Sequence, residues 1–190
     1  IINRMEAVGG ELNAFTNKEE TVIYSAFLEE HYERSIELMG DLVFDSQFPQ
    51  LEIEKEVEVI VDEIHSYEDS PSELIYDDFE DLLFKDSPIG HNILGTEEHL
   101  RSFTTAMTMD FYDRYYVPSN LVFFSWGKTD FKKVVRLAEK YFSNVGASTF
   151  VNKRIEPPHV APLRHELKRE TSQAHAVIGA RAYNLFDDKR

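Results

Sequence analysis

Residues 52–68, from Glu52 to Glu68, contain neither glycine nor proline, and their apolar positions Ile53, Val57, Ile60, Val61 and Ile64 recur at i, i+4, i+7, i+8 and i+11. That spacing puts them on one face of a helix, and a helix striped in this way has to bury the stripe against other structure. The chain must therefore fold in at least two layers. Glu54, Glu58, Asp62 and His65 turn to the far side, where solvent is the natural reading. Glu56 and Glu63 do not. Seven residues apart, they stack almost in line two turns from each other, with Val59 on one flank and Ile60 on the other. Carboxylates at the margin of an apolar stripe are costly unless a cation, a metal or hydrogen bonds compensate them, or unless their heads reach water. Helical geometry alone leaves both readings open.

Taken in order, the chain first offers Ile1, Ile2, Met5 and Val8 on one helical face, stopped by Gly9-Gly10. Glu11 to Asn17 and Thr21 to Leu28 read as the arms of a hairpin, and the β-branched second arm is expected to be a central strand. Residues 29–48 have helical periodicity and end before Pro49. After the Glu52 to Glu68 helix, Ser70-Pro71-Ser72-Glu73 has the serine, proline and acid of a helix start. Asp86 to Gly95 is a loop, Thr96 caps a short helix, and Thr104 to Tyr116 is helical. Asn120 to Trp126 is expected to be a short strand buried on both faces, followed by a helix over Asp130 to Phe142. Proline-rich residues 151–163 read as a linker, and His165 to Glu170 and Ala174 to Ala182 as two further strands. The fold class is therefore α+β, a mostly antiparallel sheet packed by helices. Residues 1–150 would form a first subdomain and residues 164–190 the beginning of a second, similar one.

Composition narrows the function classes. The 190 residues carry a net charge of −15, from 35 acids against 20 bases. Nucleic acid is an unfavourable partner for such a surface, and no apolar run is long enough to span a membrane. With no cysteine in the chain, disulfides, thiolate metal sites and cysteine nucleophiles are absent from it.

Four stretches together carry a resemblance. Gly9-Gly10-Glu11-Leu12-Asn13-Ala14-Phe15-Thr16 resembles the hairpin of the pitrilysin and mitochondrial-processing-peptidase superfamily of zinc metallopeptidases. The Glu56 to Glu63 helix, followed by Tyr67-Glu68-Asp69-Ser70-Pro71, resembles that superfamily's helix with two glutamates seven apart. Ser87-Pro88-Ile89-Gly90-His91 and Tyr115-Tyr116-Val117-Pro118-Ser119-Asn120-Leu121 are similar to its later segments. The superfamily's signature is an inverted zinc motif, H-x-x-E-H, with a distant glutamate as third protein ligand. The resemblance implies that Glu63 is that third ligand and Glu56 the acid that supports the site. It further implies that Leu12, Asn13, Ala14 and Phe15 line an exposed sheet edge to which a peptide substrate adds as an extra strand.

The seven histidines are His31, His65, His91, His99, His159, His165 and His175, and none begins H-x-x-E-H. The superfamily's spacing, counted back from Glu63, places the motif roughly a dozen residues before Ile1. The general-base glutamate is thus expected upstream, and the chain by itself to hold zinc weakly or not at all and to be inactive. The intact protein is expected to be a zinc-dependent endopeptidase that hydrolyses unfolded or short peptides. By resemblance it works with a second homologous half, fused or as a separate subunit. The alternative is a non-catalytic scaffold or partner subunit of the same superfamily.

Overall fold

Helical and alternating periodicities separate cleanly in the computed structural model, which describes residues 2–143, 145–146, 150–151, 154–169, 172–184 and 186–188. The chain divides into two compact units. The first combines Ile1–Ile53 with Phe103–Lys153, and the second combines Glu54–Ser102 with Arg154–Arg190.

The first unit opens with α1 (Asn3–Glu6), which buries Met5. Gly9 ends it at φ 71°, and the Gly10 amide donates to the Met5 carbonyl at 3.0 Å. This left-handed turn suits glycine because no Cβ meets the carbonyl. Strands β1 (Glu11–Thr16) and β2 (Thr21–Ala26) follow as an antiparallel pair with Leu12 opposite Ser25 and Ala14 opposite Ile23. The residues between them are held by Asn17, whose Oδ1 accepts the amides of Glu19 and Glu20 and whose own amide donates to the Glu20 carbonyl. Leu12 packs with Met5 and Leu38 under the hairpin. The expectation that Thr21 to Leu28 is a central strand is corrected: among the described residues the sheet has two strands, so β2 is paired on one side only.

Helix α2 (Tyr32–Phe44) carries the centre of this unit, with Tyr32, Ile36 and Leu38 buried. Its partner is α7 (Phe131–Phe142), started by Asp130, whose carboxylate accepts the Lys133 amide at 3.1 Å. Tyr32, Ile36 and Leu137 form the apolar seam. Outside that seam Glu33 accepts from Lys140 at 2.7 Å and from the Tyr141 hydroxyl at 3.0 Å. Between the two comes α6 (Thr105–Tyr115), capped by the Thr104 hydroxyl. The segment 121–126 corrects a second expectation. It forms no strand among the described residues and is not buried: Val122 is 93% and Trp126 92% exposed. Its almost wholly apolar, aromatic-rich residues suit a strand, but among the described residues no segment supplies the ladder.

Helix α3 (Gln50–Glu68) begins in the first unit and continues into the second. There α4 (Pro71–Leu83) follows with proline in its first turn, although Ser70 makes no side-chain capping bond. The loop after α4 turns back tightly. A Cβ on Gly90 would lie 2.9 Å from the Phe84 carbonyl oxygen, so the position requires glycine. Helix α5 (Glu97–Leu100) is capped by Thr96 as expected. The last described residues run along α4: Arg181 donates through Nε to the Leu83 carbonyl at 2.9 Å and through Nη1 to the Pro157 carbonyl at 3.1 Å, and stacks on the Phe84 ring. A cation on the final carbonyls of a helix offsets its negative end. The strands expected at 165–170 and 174–182 form no ladder among the described residues, and Glu170 lies outside them.

Two core substitutions test this packing by chemical denaturation. Leu38→Ala, at a side chain with no solvent exposure, is expected to cost about 2–5 kcal/mol. Gly90→Ala is expected to cost about 1–3 kcal/mol through the clash with Phe84. Loss of less than about 0.5 kcal/mol at either position would contradict it.

Candidate functional site

Burial sets how α3 is rolled about its axis. Val57 and Val61 are buried, Ile53, Ile60 and Ile64 are partly buried, and Glu56 and Glu63 are exposed. The apolar stripe is thus the buried face, as the periodicity requires. Both marginal acids reach water with their carboxylates, and neither has a hydrogen-bond or ion-pair partner among the described residues. No protein cation compensates them there.

The acids on the opposite side behave differently from the solvent reading. Glu58 is gripped by Arg101, with both carboxylate oxygens engaged, and Arg101 Nε also donates to Glu97 at 2.8 Å. His65 Nε2 lies 3.5 Å from the other oxygen of Glu97. The Arg101 guanidinium holds the Glu58 and Glu97 carboxyls below the usual glutamate range, chiefly by hydrogen bonding. The Glu97–Arg101 half of this network has the i,i+4 spacing that a sequence displays. The half that reaches Glu58 is set by tertiary folding and carries no such signal. Its effect is to tie α3 to α5.

Glu63 offers one oxygen donor. Among the described residues no three His, Cys, Asp or Glu side chains gather closely enough to hold a metal ion. A zinc centre takes three protein ligands and an open position, or four ligands. The residues present therefore do not form a zinc site by themselves, and Glu63 fits one only as a single donor completed from elsewhere.

On the hairpin, Leu12 is buried, so it can line an edge through its main chain alone. Asn13, Ala14 and Phe15 are exposed. Phe15 leans on Tyr24 with ring centroids 6.3 Å apart, and the Tyr24 hydroxyl donates to Glu11 at 3.1 Å. The hairpin belongs to the first unit and residues 54–68 of α3 to the second.

Comparison with known proteins places these features in a family. The family described as insulinase, peptidase family M16, matches residues 1–97, and the peptidase M16 inactive domain matches residues 102–190. A Rickettsia felis protein described as an uncharacterized zinc protease is 34% identical over 170 residues, 82% of this chain and 41% of that protein. A Bacillus subtilis protein of the same description is 32% identical over the whole chain, covering 46% of its own length. The β subunit of the mitochondrial processing peptidase of Saccharomyces cerevisiae is 31% identical over 76% of the chain and 31% of the subunit. The chain thus spans less than half the length of these relatives. Among solved structures, a protease from Helicobacter pylori superposes with a TM-score of 0.75 at 20% identity, over 82% of this chain and 38% of that one. The first half of the periplasmic protease PqqL from Escherichia coli gives 0.70 at 20% identity, over 81% and 34%. Both likenesses bear on the fold.

The charge network makes a pH prediction. Glu58 and Glu97 have lowered pKa values in the folded chain, so their contribution to stability is present above the ordinary glutamate range and is lost as pH falls through the lowered values. The stability difference between wild type and Arg101→Gln should therefore be largest near neutrality, shrink as pH falls below the glutamate range, and be smaller in high salt. Denaturation curves at several pH values check this; a difference that grows on acidification would contradict it.

Proposed function

The chain belongs to peptidase family M16, and from that premise we propose that it is part of a zinc-dependent endopeptidase that takes extended or unfolded peptide segments. The observation that carries the reading is Glu63. It is a solvent-exposed carboxylate with no partner among the described residues, at the margin of a buried stripe and at the position where the family resemblance implies a metal ligand. In the intact protein Glu63 is one ligand of the zinc ion, with the histidine ligands and the general-base glutamate contributed by an H-x-x-E-H motif outside these residues. Bound there, the metal would polarise a peptide carbonyl and lower the pKa of its water.

The residues of this chain have three separate tasks on this reading. Glu63 holds the metal, Glu56 one heptad earlier adds negative charge and orientation to the same margin, and β1 binds and orients the peptide. Main-chain pairing along the Leu12, Asn13, Ala14 and Phe15 segment, through the outward-facing groups of Leu12 and Ala14, would give affinity irrespective of side-chain sequence, which suits an enzyme that takes unfolded segments. Two-half neighbours such as PqqL, whose first half has been solved separately, support a second homologous half as partner. We keep residues 1–150 as the first subdomain, 151–163 as linker and 164–190 as the opening of the next.

The alternative is a non-catalytic scaffold or partner subunit of the same superfamily; the match of residues 102–190 to the domain described as inactive does not favour it, because a relative described as a zinc protease aligns over those residues too. The presence of H-x-x-E-H upstream of Ile1 in the gene would decide against it.

In the full-length protein, Glu63→Gln should lose bound zinc and cleavage of an unstructured peptide together. Glu56→Gln should lower zinc affinity or activity by about 10–100-fold. Metal analysis with a fluorogenic peptide assay reads both, and unchanged zinc content and cleavage in Glu63→Gln would overturn the assignment.

A further inference from the structure

The edge of β1 that faces away from β2 carries main-chain groups of alternate residues only. The Asn17 amide closes the hairpin onto the Glu20 carbonyl at 2.9 Å, so Glu11, Asn13 and Phe15 turn their main-chain groups to β2. Leu12, Ala14 and Thr16 turn theirs to the outer edge, where no strand is paired among the described residues. The middle one of these amides is nevertheless occupied. Ala14 N–H donates to Oδ1 of the preceding residue, Asn13, at 2.8 Å.

Asn13 stands opposite Tyr24 in the register. The Tyr24 hydroxyl donates to Glu11, which is the largest cause of its raised pKa, while a hydrogen bond with Asn13 opposes the rise. Glu11, Asn13 and Tyr24 thus share the exposed face of the hairpin, with Glu11 taken by the Tyr24 hydroxyl and the Asn13 oxygen taken by the Ala14 amide. An exposed edge with free amides invites pairing with any extended chain, and natural sheets blunt such edges. Asparagine does so here through a local side-chain to main-chain bond that competes with the ladder.

We propose that Asn13 is a guard of the β1 edge: its carboxamide oxygen occupies the Ala14 amide while the edge is empty and swings off when an extended peptide adds there. The proposal rests on β1 being the peptide-binding edge. An incoming segment then has to displace one hydrogen bond before it gains the central main-chain bond. A segment that also pairs with Leu12 and Thr16 recovers that loss, and one that makes a single bond does not. The guard therefore selects chains extended over several residues.

The test uses the full-length protein treated with a chelator, so that the peptide stays intact, and a blocked hexapeptide of alternating valine and threonine. Hydrogen exchange with residue-resolving mass spectrometry is read first without peptide. Asn13→Ala should speed exchange at Ala14 about tenfold or more, while Asn13→Asp, which keeps the acceptor, should leave it protected. With peptide, Asn13→Ala should bind about two- to tenfold more tightly, the weight of one net hydrogen bond. Unchanged Ala14 exchange in Asn13→Ala, or a fall in affinity with Leu12, Ala14 and Thr16 still protected by peptide, would overturn the guard alone. Absence of peptide binding, or binding that leaves those three amides unprotected, would sink the edge reading and the guard with it.

Discussion

The burial of Val57 and Val61 in α3 is the constraint on which the rest of the site depends. A helix has one degree of freedom that its own hydrogen bonds leave open, the roll about its axis, and here two valines and three partly buried isoleucines set it. Once that face is inward, the remaining sides are decided by geometry. Glu58 and His65 meet the charges of α5, and Glu56 and Glu63 stand at the margin with their carboxylates in water. Placing an unpaired carboxylate within the stripe itself would cost several kcal/mol. At its margin the cost falls away, and the group stays free for a cation that arrives from outside these residues.

The hairpin follows the same logic with a different period. Leu12, the one buried side chain of β1, anchors the strand on Met5 and Leu38 and puts Glu11, Asn13 and Phe15 on the opposite, open face. The same alternation sends the amides of Leu12, Ala14 and Thr16 outward. A strand can thus be tied down by one apolar contact and still offer a free edge. Glu63 on a helix set by its core face and the β1 edge set by a buried leucine, the two groups given roles in the proposed function, are both kept off the packing surface. Neither depends on a long-range electrostatic arrangement, which suits a chain with a net charge of −15.

Helices were readable from the sequence because their signals are local. Glycine at the end of α1, Thr96 as a cap and the stripe of α3 all act within a turn or two. The hairpin was readable for the same reason, since its arms are neighbours. The segments 121–126, 165–169 and 174–182 were not, although their residues suit strands, because a strand exists only where a partner supplies the ladder and no sequence window contains the partner. The grip of Arg101 on Glu58, 43 residues apart, and of Arg181 on the end of α4 are tertiary in the same sense. The bond from the Ala14 amide to Asn13 was hidden for another reason: a side chain that bonds its neighbour's amide leaves no periodicity to read. Glu56 and Glu63 were visible only as misplaced acids, and their meaning came from the company of the glycine-rich hairpin and the Ser87 to His91 loop.

Zinc-edge anomalous diffraction from crystals of the full-length, zinc-loaded protein tests the central claim most directly. The account predicts a single anomalous peak about 2.0–2.2 Å from a carboxylate oxygen of Glu63, with Glu56 nearby and outside bonding distance. A zinc peak whose coordination sphere is complete without Glu63 would contradict it.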